Sequence, residues 1–314
     1  MADDLILHHF DTSPFSEKFR VALGIKGLAW KSVDIPSMMP KPDYVPLTGG
    51  YRRTPALQIG ADVYCDTQVM LAELERRHPE PALIPQGGEG LIWAANWWAD
   101  RLFFQTTVPI IFGALGEHVP EAFIKDREQM SGRPFDVKMM KAASGPLKAQ
   151  WRAQAAWLNA QLAASDTGWL MGDAPTLADA AAYMNVWFLG RNLEPIVAAL
   201  TEGLPHIAPW RASVHAIGHG APTPLEASAA LDIAKAAQPA PAPLHDPLDP
   251  LCAGPEGAKP GDAVFVMADD YGRDRVDGTL VAANTDQIVI AREHERTGLV
   301  HVHFPRTGYM AMKG

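Results

Sequence analysis

The order of apolar and polar positions in the first eighty residues predicts alternating strands and helices. An apolar run at Leu5 to Leu7 is typical of a short buried strand. From Phe15 to Leu23, apolar residues then recur at the i, i+4, i+7 and i+8 spacing of one helical face. The further elements predicted in this part are a strand at 29–35, a hairpin at 56–65 and a helix at 68–78. This order predicts an α/β domain.

Helical periodicity dominates from residue 90 to about residue 237, after a short linker at 80–90. The most regular helix is predicted over 147–162, where apolar residues repeat every three or four positions. Five aromatic residues stand among the predicted helices and are candidates either for the core or for the wall of a ligand pocket: Trp93, Trp97, Trp98, Phe104 and Phe112. The pattern predicts an all-helical second domain.

Two capping boxes mark helix starts within this half. Thr176 and Asp179 stand before an apolar run, with the spacing at which each side chain can bond the other residue's backbone N–H. Thr223 and Glu226 have the same spacing, and the helix that they are expected to start ends near residue 237.

The last part of the chain changes to period two. Residues 238–261 contain seven of the chain's prolines without apolar periodicity, which predicts a linker. Beyond it, short alternating segments separated by turn residues predict strands at 263–267, 276–282, 287–291, 299–304 and 309–312. About five strands in such a short segment favour a small β-rich module at 262–314, SH3-like or a partly open barrel.

Composition and charge narrow the function classes. The formal net charge of −9 argues against nucleic-acid and anionic-membrane partners. No apolar run approaches the roughly twenty residues of a membrane span, and the N-terminus does not read as a signal peptide, so we expect a cytoplasmic protein. The two cysteines, Cys65 and Cys252, stand far apart in no metal or redox spacing. Cys65 itself is expected to be a small buried residue.

Three short motifs in the first domain resemble the thioredoxin-like N-terminal domain of glutathione S-transferases. Ser13-Pro14-Phe15-Ser16 follows the first strand, Thr54-Pro55 precedes the hairpin, and Asp66-Thr67 opens the next helix. The Thr176–Asp179 box is similar to the helix start of the same family's helical domain. The resemblance covers roughly residues 1–237 and implies a glutathione-binding domain at 1–80 and a helical transferase domain at 90–237.

The resemblance implies roles for these residues. Ser13, with Ser16 as a second candidate, would face the glutathione thiol, and Phe15 would lie beside it. Thr54 and Pro55 would contact the cysteinyl part of the tripeptide. Asp66, shorter than the family's usual acid, would bind the γ-glutamyl end with Thr67. The family also implies a homodimer.

Basic residues near these motifs are candidates for the two carboxylates of glutathione. Arg53 and Arg52 directly precede Thr54, whereas Lys18 and Arg20 lie on the first helix. The alternative is that each belongs to a solvated face. The pair Arg52-Arg53 is preferred because it directly precedes Thr54-Pro55, with Arg53 adjacent to Thr54.

A serine at the helix start predicts a particular chemistry. A hydroxyl that donates to sulfur, together with the helix N-terminus, lowers a thiol pKa by about one to three units. Unlike cysteine, serine cannot exchange disulfides, so within the family that the chain resembles a serine implies conjugation, thiol-assisted isomerisation or a related thiolate addition rather than thiol reduction. We expect Ser13 to donate its proton to the sulfur rather than serve as a satisfied helix cap, which is the alternative.

The sequence leaves several functions open. The leading hypothesis is a glutathione-dependent transferase that acts on a small electrophile, with no metal. The alternatives are a non-catalytic glutathione-binding or scaffold protein and a glutathione-dependent isomerase or lyase. His301 and His303 share a strand face near His294, but no acid or cysteine completes a metal set, so we expect exposed strand histidines.

Overall fold

A computed structural model describes residues 4–241 and 258–314 of the chain. Cys252 and the central part of the proline-rich segment lie outside the described residues. The strands of the described chain are β1 (Ile6–His9), β2 (Ala29–Asp34), β3 (Ala56–Ile59), β4 (Asp62–Cys65), β5 (Ala221–Pro224), β6 (Ala263–Ala268), β7 (Val276–Ala283), β8 (Gln287–His294), β9 (Gly298–Pro305) and β10 (Tyr309–Lys313).

The helices lie between β1 and β6, as the periodicity predicts. They are α1 (Pro14–Ile25), α2 (Val45–Thr48), α3 (Thr67–Arg77), α4 (Glu89–Trp98), α5 (Phe104–Leu115), α6 (Glu121–Ser131), α7 (Val137–Ala163), α8 (Leu177–Thr201), α9 (Ile207–Ile217) and α10 (Ala227–Ala236). A π-helical segment, Ala99–Phe103, joins α4 to α5. The short helix α2 lies within residues 36–53, which are rich in proline and glycine and would be expected from the sequence to be irregular.

The first four strands form the α/β core of the N-terminal part. The strand β1 pairs in parallel with β2 on one side and antiparallel with β3 on the other, and β3 continues into the hairpin with β4. All four residues of β1, β3 and β4 are buried, because helices and loops cover both faces of the sheet. The predicted α/β domain is confirmed.

The C-terminal strands continue this sheet. The strands β6 to β9 form an antiparallel meander, and β10 returns to pair with β6, so the predicted β-rich segment is confirmed. In addition, β9 pairs in parallel with β4, with Val63 opposite Val302. The result is one ten-stranded sheet, and both valines lie in one buried apolar cluster.

One of the two predicted capping boxes is wrong. Thr223 lies in β5, which pairs in parallel with β2, with Thr223 opposite Lys31. Glu226 occupies the N-cap position of α10 but makes no capping side-chain bond. The backbone of this segment instead bonds a neighbouring strand, and its two prolines are tolerated because β5 is an edge strand.

The other capping box is confirmed and extends further than expected. Asp179 is fully buried, and its Oδ2 accepts from the Thr176 N–H at 2.9 Å. Its Oδ1 accepts from the Leu170 N–H and from the Trp210 Nε1–H, both at 2.9 Å. One carboxylate therefore ties the start of α8 to a preceding loop and to α9.

Replacing this carboxylate should destabilise the helical half. Asp179→Ala leaves three buried N–H donors without acceptors, so we expect the free energy of unfolding to fall by about 3 kcal/mol or more. Urea denaturation measures the change. Asp173→Ala, at an exposed position a few residues upstream, is the matched control and should change stability by less than about 0.5 kcal/mol. Equal stabilities of the two variants would contradict this role for Asp179.

Candidate functional site

The sheet register brings the three predicted motifs to one edge. His8 of β1 lies opposite Ala56 of β3, and Ala56 lies opposite Cys65 of β4. The carboxyl ends of β1 and β4 and the amino end of β3 therefore stand side by side. The loop after β1 leads to Ser13, the residues before β3 are Thr54-Pro55, and Asp66 follows β4.

Ser13 is both a helix cap and a free hydroxyl donor. Its Oγ accepts from the Ser16 N–H at 3.2 Å, and Pro14 occupies the first helical position, where no N–H is needed. Accepting uses a lone pair of the oxygen and leaves the hydroxyl proton available. Ser13 can therefore cap α1 and still donate, so the cap does not exclude the expected bond to sulfur, which stays a prediction. Ser16 is fully buried, and its Oγ has no partner among the described residues.

Thr54-Pro55 meets a buried lysine that the sequence analysis missed. The Thr54–Pro55 peptide bond is cis. The Lys41 ammonium donates to Thr54 Oγ1 and to the Arg52 carbonyl oxygen, both at 2.9 Å. Burial lowers the pKa of Lys41 to about 7. Lys41 lies between two prolines in a predicted loop, and no sequence signal distinguishes it from a solvated lysine.

Asp66 and Thr67 form the start of α3. Asp66 has φ of 91° and is the one non-glycine residue with positive φ among the described residues. Its Oδ1 accepts from the Gln68 N–H at 2.9 Å, so it caps the helix, and Thr67 is the buried first residue. A non-glycine residue in this region costs roughly 1–3 kcal/mol, and such strain is concentrated at functional sites.

Asp66 also contacts the C-terminal strands. Its Oδ2 accepts from the Tyr309 hydroxyl of β10 at 3.0 Å, and the Tyr51 hydroxyl lies 3.3 Å from that of Tyr309. Burial raises the pKa of both phenols well above the usual value, so both stay neutral. The carboxylate of Asp66 therefore faces a hydroxyl donor supplied from the other end of the chain.

Each of the four basic candidates for the ligand carboxylates has an acidic partner within the chain. Lys18 is fully buried, and its ammonium bonds Asp100 at 2.7 Å. The other pairs are Arg20 with Glu17, Arg52 with Asp126 and Arg53 with Asp270. None of these side chains lies on a solvated face, because each is nearly buried. Asp270 belongs to the loop between β6 and β7, so Arg53, like Asp66, meets the C-terminal strands.

Aromatic residues extend from the start of α1 into the helical half. The Phe15 ring packs edge-on against Phe104 at 4.9 Å between centroids, and Phe104 stacks near Phe188 at 6.3 Å. Trp98 stacks on the buried Phe103, and Phe112 packs with Phe123 and Phe135. Of the five predicted aromatic candidates, Phe104 is the one that an observed ring contact joins to the Ser13–Ser16 turn.

The histidines of β9 differ from their prediction. His303 is buried, stacks on Tyr64 and bonds Asp62 Oδ1 at 2.8 Å, whereas His301 is half-buried beside it. The expected exposure is wrong because β9 is not an edge strand but pairs with β4. Within the described ranges, 4–241 and 258–314, no cluster of three or more histidine, cysteine or acidic side chains could hold a metal ion. Cys65 is fully buried as expected, and burial raises its thiol pKa.

Comparison with known proteins identifies the family. Residues 7–82 match the model of the glutathione S-transferase N-terminal domain, and residues 121–213 match that of the C-terminal domain. A crystal structure of a GST-like protein from Pseudomonas syringae is 38% identical over 100% of both chains, with a TM-score of 0.81. This chain belongs to the glutathione S-transferase family.

More distant structures share the fold alone. A glutathione S-transferase from Rhodospirillum rubrum F11 is 22% identical, with 67% of this chain and 87% of that chain covered and a TM-score of 0.52. A glutathione S-transferase from Methylobacillus flagellatus KT, solved with glutathione bound, is 19% identical, with 70% of this chain and 100% of that chain covered and a TM-score of 0.51. No curated protein sequence matches the chain. None of the helices in its described residues is both long and apolar enough to cross a membrane.

Two buried histidines at the end of β1 predict a pH dependence of stability. Burial lowers the pKa of His8 and of His9 to about 4, and Arg20 adds to the effect at His9. In the unfolded chain a histidine has a pKa near 6.5. Because the unfolded state binds these protons first, the stabilisation is complete above pH 6.5 and is lost as the pH falls towards 4.

Replacing one of these two histidines should make the loss of stability with falling pH less steep. In His8→Asn the free energy of unfolding should fall less steeply between pH 6.5 and 4, by up to about 1.4 kcal/mol per pH unit. Urea denaturation across that range measures the slope. His118→Asn, at an exposed position, should leave the slope unchanged. The same slope in both variants would contradict a buried neutral His8.

Proposed function

We propose that this chain is a glutathione-dependent transferase in which Ser13 stabilises the glutathione thiolate for attack on a small electrophile. Membership of the family supports the glutathione-dependent class. The observation that carries the proposal is the juxtaposition of Ser13, Thr54-Pro55 and Asp66-Thr67 at one sheet edge. Glutathione is the co-substrate, the protein works as a cytoplasmic homodimer, and no metal takes part.

Ser13 is a better thiol partner than Ser16. Both hydroxyls belong to the first turn of α1, where unpaired backbone N–H groups and the helix dipole favour an anion. Both side chains are buried, but Ser13 is the N-cap residue, whose Oγ accepts from the Ser16 N–H and keeps its own proton to donate, whereas Ser16 lies three residues further along α1. A hydroxyl at this position donates to the thiolate and lowers the thiol pKa towards neutrality.

The neighbouring groups bind the rest of the tripeptide. Thr54 offers its backbone to the cysteinyl part, and the N-terminus of α3 with Asp66 and Thr67 takes the γ-glutamyl end. The Lys41 ammonium, held on Thr54 Oγ1, takes the glycyl carboxylate. The electrophile lies against the Phe15 and Phe104 rings, which continue from the Ser13 turn into the helical half.

Removing the Ser13 hydroxyl tests the chemistry. In Ser13→Ala the bound thiol should have a pKa higher by about one to three units, and the rate of conjugation at pH 7 should fall in proportion. Calorimetry of glutathione binding across pH measures the proton release, and an aryl halide or epoxide measures the rate. Ser13→Thr keeps the hydroxyl and the cap and should retain the proton release.

Two controls separate the chemistry from the fold. Ser16→Ala should leave the proton release unchanged if Ser13 is the donor. Ser13→Ala also loses a helix cap, which costs about 1 kcal/mol, so thermal unfolding must show that the variant is folded at the assay temperature. Proton release that is the same in wild type and Ser13→Ala would refute the proposed role.

Lys41 gives the site a second pH dependence. With a pKa of about 7, its ammonium is lost as the pH rises through neutrality, so glutathione affinity should weaken above pH 7 even though the thiolate fraction increases. In Lys41→Met we expect affinity about tenfold weaker at pH 6 and no decline of this kind above pH 7. Lys138→Met, at an exposed position of α7, should behave like wild type. Calorimetric titration with glutathione from pH 6 to 8 measures the affinity of wild type and of both variants.

A non-catalytic glutathione-binding or scaffold protein is the second candidate. It is favoured by the contact of Tyr309 with Asp66, since a ligand group at Asp66 must share the carboxylate with the C-terminal strands. Glutathione binding without turnover of any aryl halide, epoxide or unsaturated carbonyl would support this candidate over the transferase.

A further inference from the structure

The C-terminal strands place an acid on Arg53. The Asp270 carboxylate in the β6–β7 loop forms an ion pair with the Arg53 guanidinium. The ring of Tyr271 lies 4.6 Å from the guanidinium carbon, and that of Tyr309 lies 6.0 Å from it. The Nε of Arg53 is buried and has no acceptor among the described residues. Arg53 is therefore enclosed by C-terminal residues, although one of its donors stays unused.

The same strands place a donor on Asp66. The Tyr309 hydroxyl donates to Asp66 Oδ2, and the second oxygen, Oδ1, already caps α3. Tyr309 links the two contacts, because its ring faces Arg53 while its hydroxyl meets Asp66. The Asp270 carboxylate accepts from Arg53, and the Tyr309 hydroxyl donates to Asp66. These two contacts therefore lie within the length of one tyrosine side chain of each other.

The γ-glutamyl end of glutathione presents the same two groups. Its α-carboxylate is an acceptor for a guanidinium, and its α-ammonium is a donor for a carboxylate. We propose that Asp270 and Tyr309 are specificity-determining residues of the thiol site, which imitate the γ-glutamyl end and compete with it for Arg53 and Asp66. This inference rests on the proposed glutathione site. According to this inference, the C-terminal strands determine whether the site prefers thiols with or without the γ-glutamyl end.

The competing contacts are held in place from outside the site. Arg101, stacked on Trp97 at 4.5 Å, forms ion pairs with Asp269 and with Asp270, both at 2.9 Å. The Asp269 N–H donates to the Gly308 carbonyl oxygen at 3.0 Å, which ties the β6–β7 loop to the residue before Tyr309. This bond joins the loop to β10 and so positions Asp270 and Tyr309 relative to each other at the site.

The test compares two thiols in the full chain. Glutathione carries the γ-glutamyl end, and cysteinylglycine is the same molecule without it. In wild type the dissociation constants of the two thiols should differ by no more than about threefold, because Asp270 and Tyr309 already contact the residues of the γ-glutamyl subsite. In the double variant Asp270→Asn/Tyr309→Phe, which keeps both side-chain shapes, glutathione should bind about tenfold more tightly, equivalent to about 1.4 kcal/mol, with cysteinylglycine unchanged.

Matched variants make the result specific. Asp277→Asn removes one negative charge from an exposed position of β7, where the carboxylate pairs with Arg275 rather than with Arg53, so it should leave both affinities as in wild type. If the double variant unfolds below the assay temperature, the two single variants are measured instead, and each should tighten glutathione binding by roughly threefold. A gain for Asp277→Asn equal to that of the double variant would mean a general charge effect and would overturn the proposal.

The outcomes also separate this inference from the proposed function. If wild type already binds glutathione far more tightly than cysteinylglycine, and neither variant changes that ratio, the γ-glutamyl subsite is open and the inference fails while the glutathione site stands. If neither thiol binds wild type or the variants at millimolar concentration, the proposed glutathione site fails, and this inference fails with it.

Discussion

The pairing of β9 with β4 is the interaction on which the arrangement of this protein depends. Without it, β4 would be the edge strand of the N-terminal sheet, and its unpaired backbone groups would face solvent. With it, the sheet continues through the C-terminal meander, and Val63 and Val302 share one apolar cluster. The pairing also fixes where the neighbouring loops lie, so that the β6–β7 loop and β10 come to stand at the ends of β3 and β4.

The need to pair buried charges explains much of the site. A buried cation without a partner is expensive, and Lys18, Arg20, Arg52 and Arg53 each have an acid close by within the chain. Under the proposed function, the groups available to an anionic thiol ligand among the described residues include the N-terminus of α1, the Ser13 hydroxyl and the Lys41 ammonium. The helix terminus and the Ser13 hydroxyl suit a thiolate, because they stabilise negative charge without a cation that would need its own counter-ion.

The C-terminal strands contribute contacts to the candidate site. The family models match residues up to 213, whereas the Pseudomonas syringae structure matches the whole chain. In this chain the additional strands do not stand apart from the body: Tyr309 reaches Asp66, and Asp270 reaches Arg53. A segment that could be taken for an independent module is thus part of the wall of the candidate site.

The local sequence determined what depends on near neighbours. The Ser13-Pro14 start of α1, the hairpin at β3 and β4, the Thr176–Asp179 box and the five C-terminal strands follow from capping chemistry and from the periods of helix and strand, which act over a few residues. Each of the three motifs of the candidate site lies at the start of such an element, but their assignment to a ligand comes from the resemblance to the family. Lys41 was missed because the contact that distinguishes it crosses a loop without periodic pattern.

Tertiary structure decided which elements met. Thr223 and Glu226 have the spacing of a capping box, but a free edge of β2 bound this segment as a strand instead. His303 has the alternation of an exposed strand residue, but β4 on the far side of β9 buried it. Asp270, the partner of Arg53, and Tyr309, which donates to Asp66, each lie more than two hundred residues away along the chain. Local patterns carry no information about such pairs, because which edges pair and which charges meet depends on packing of the whole chain.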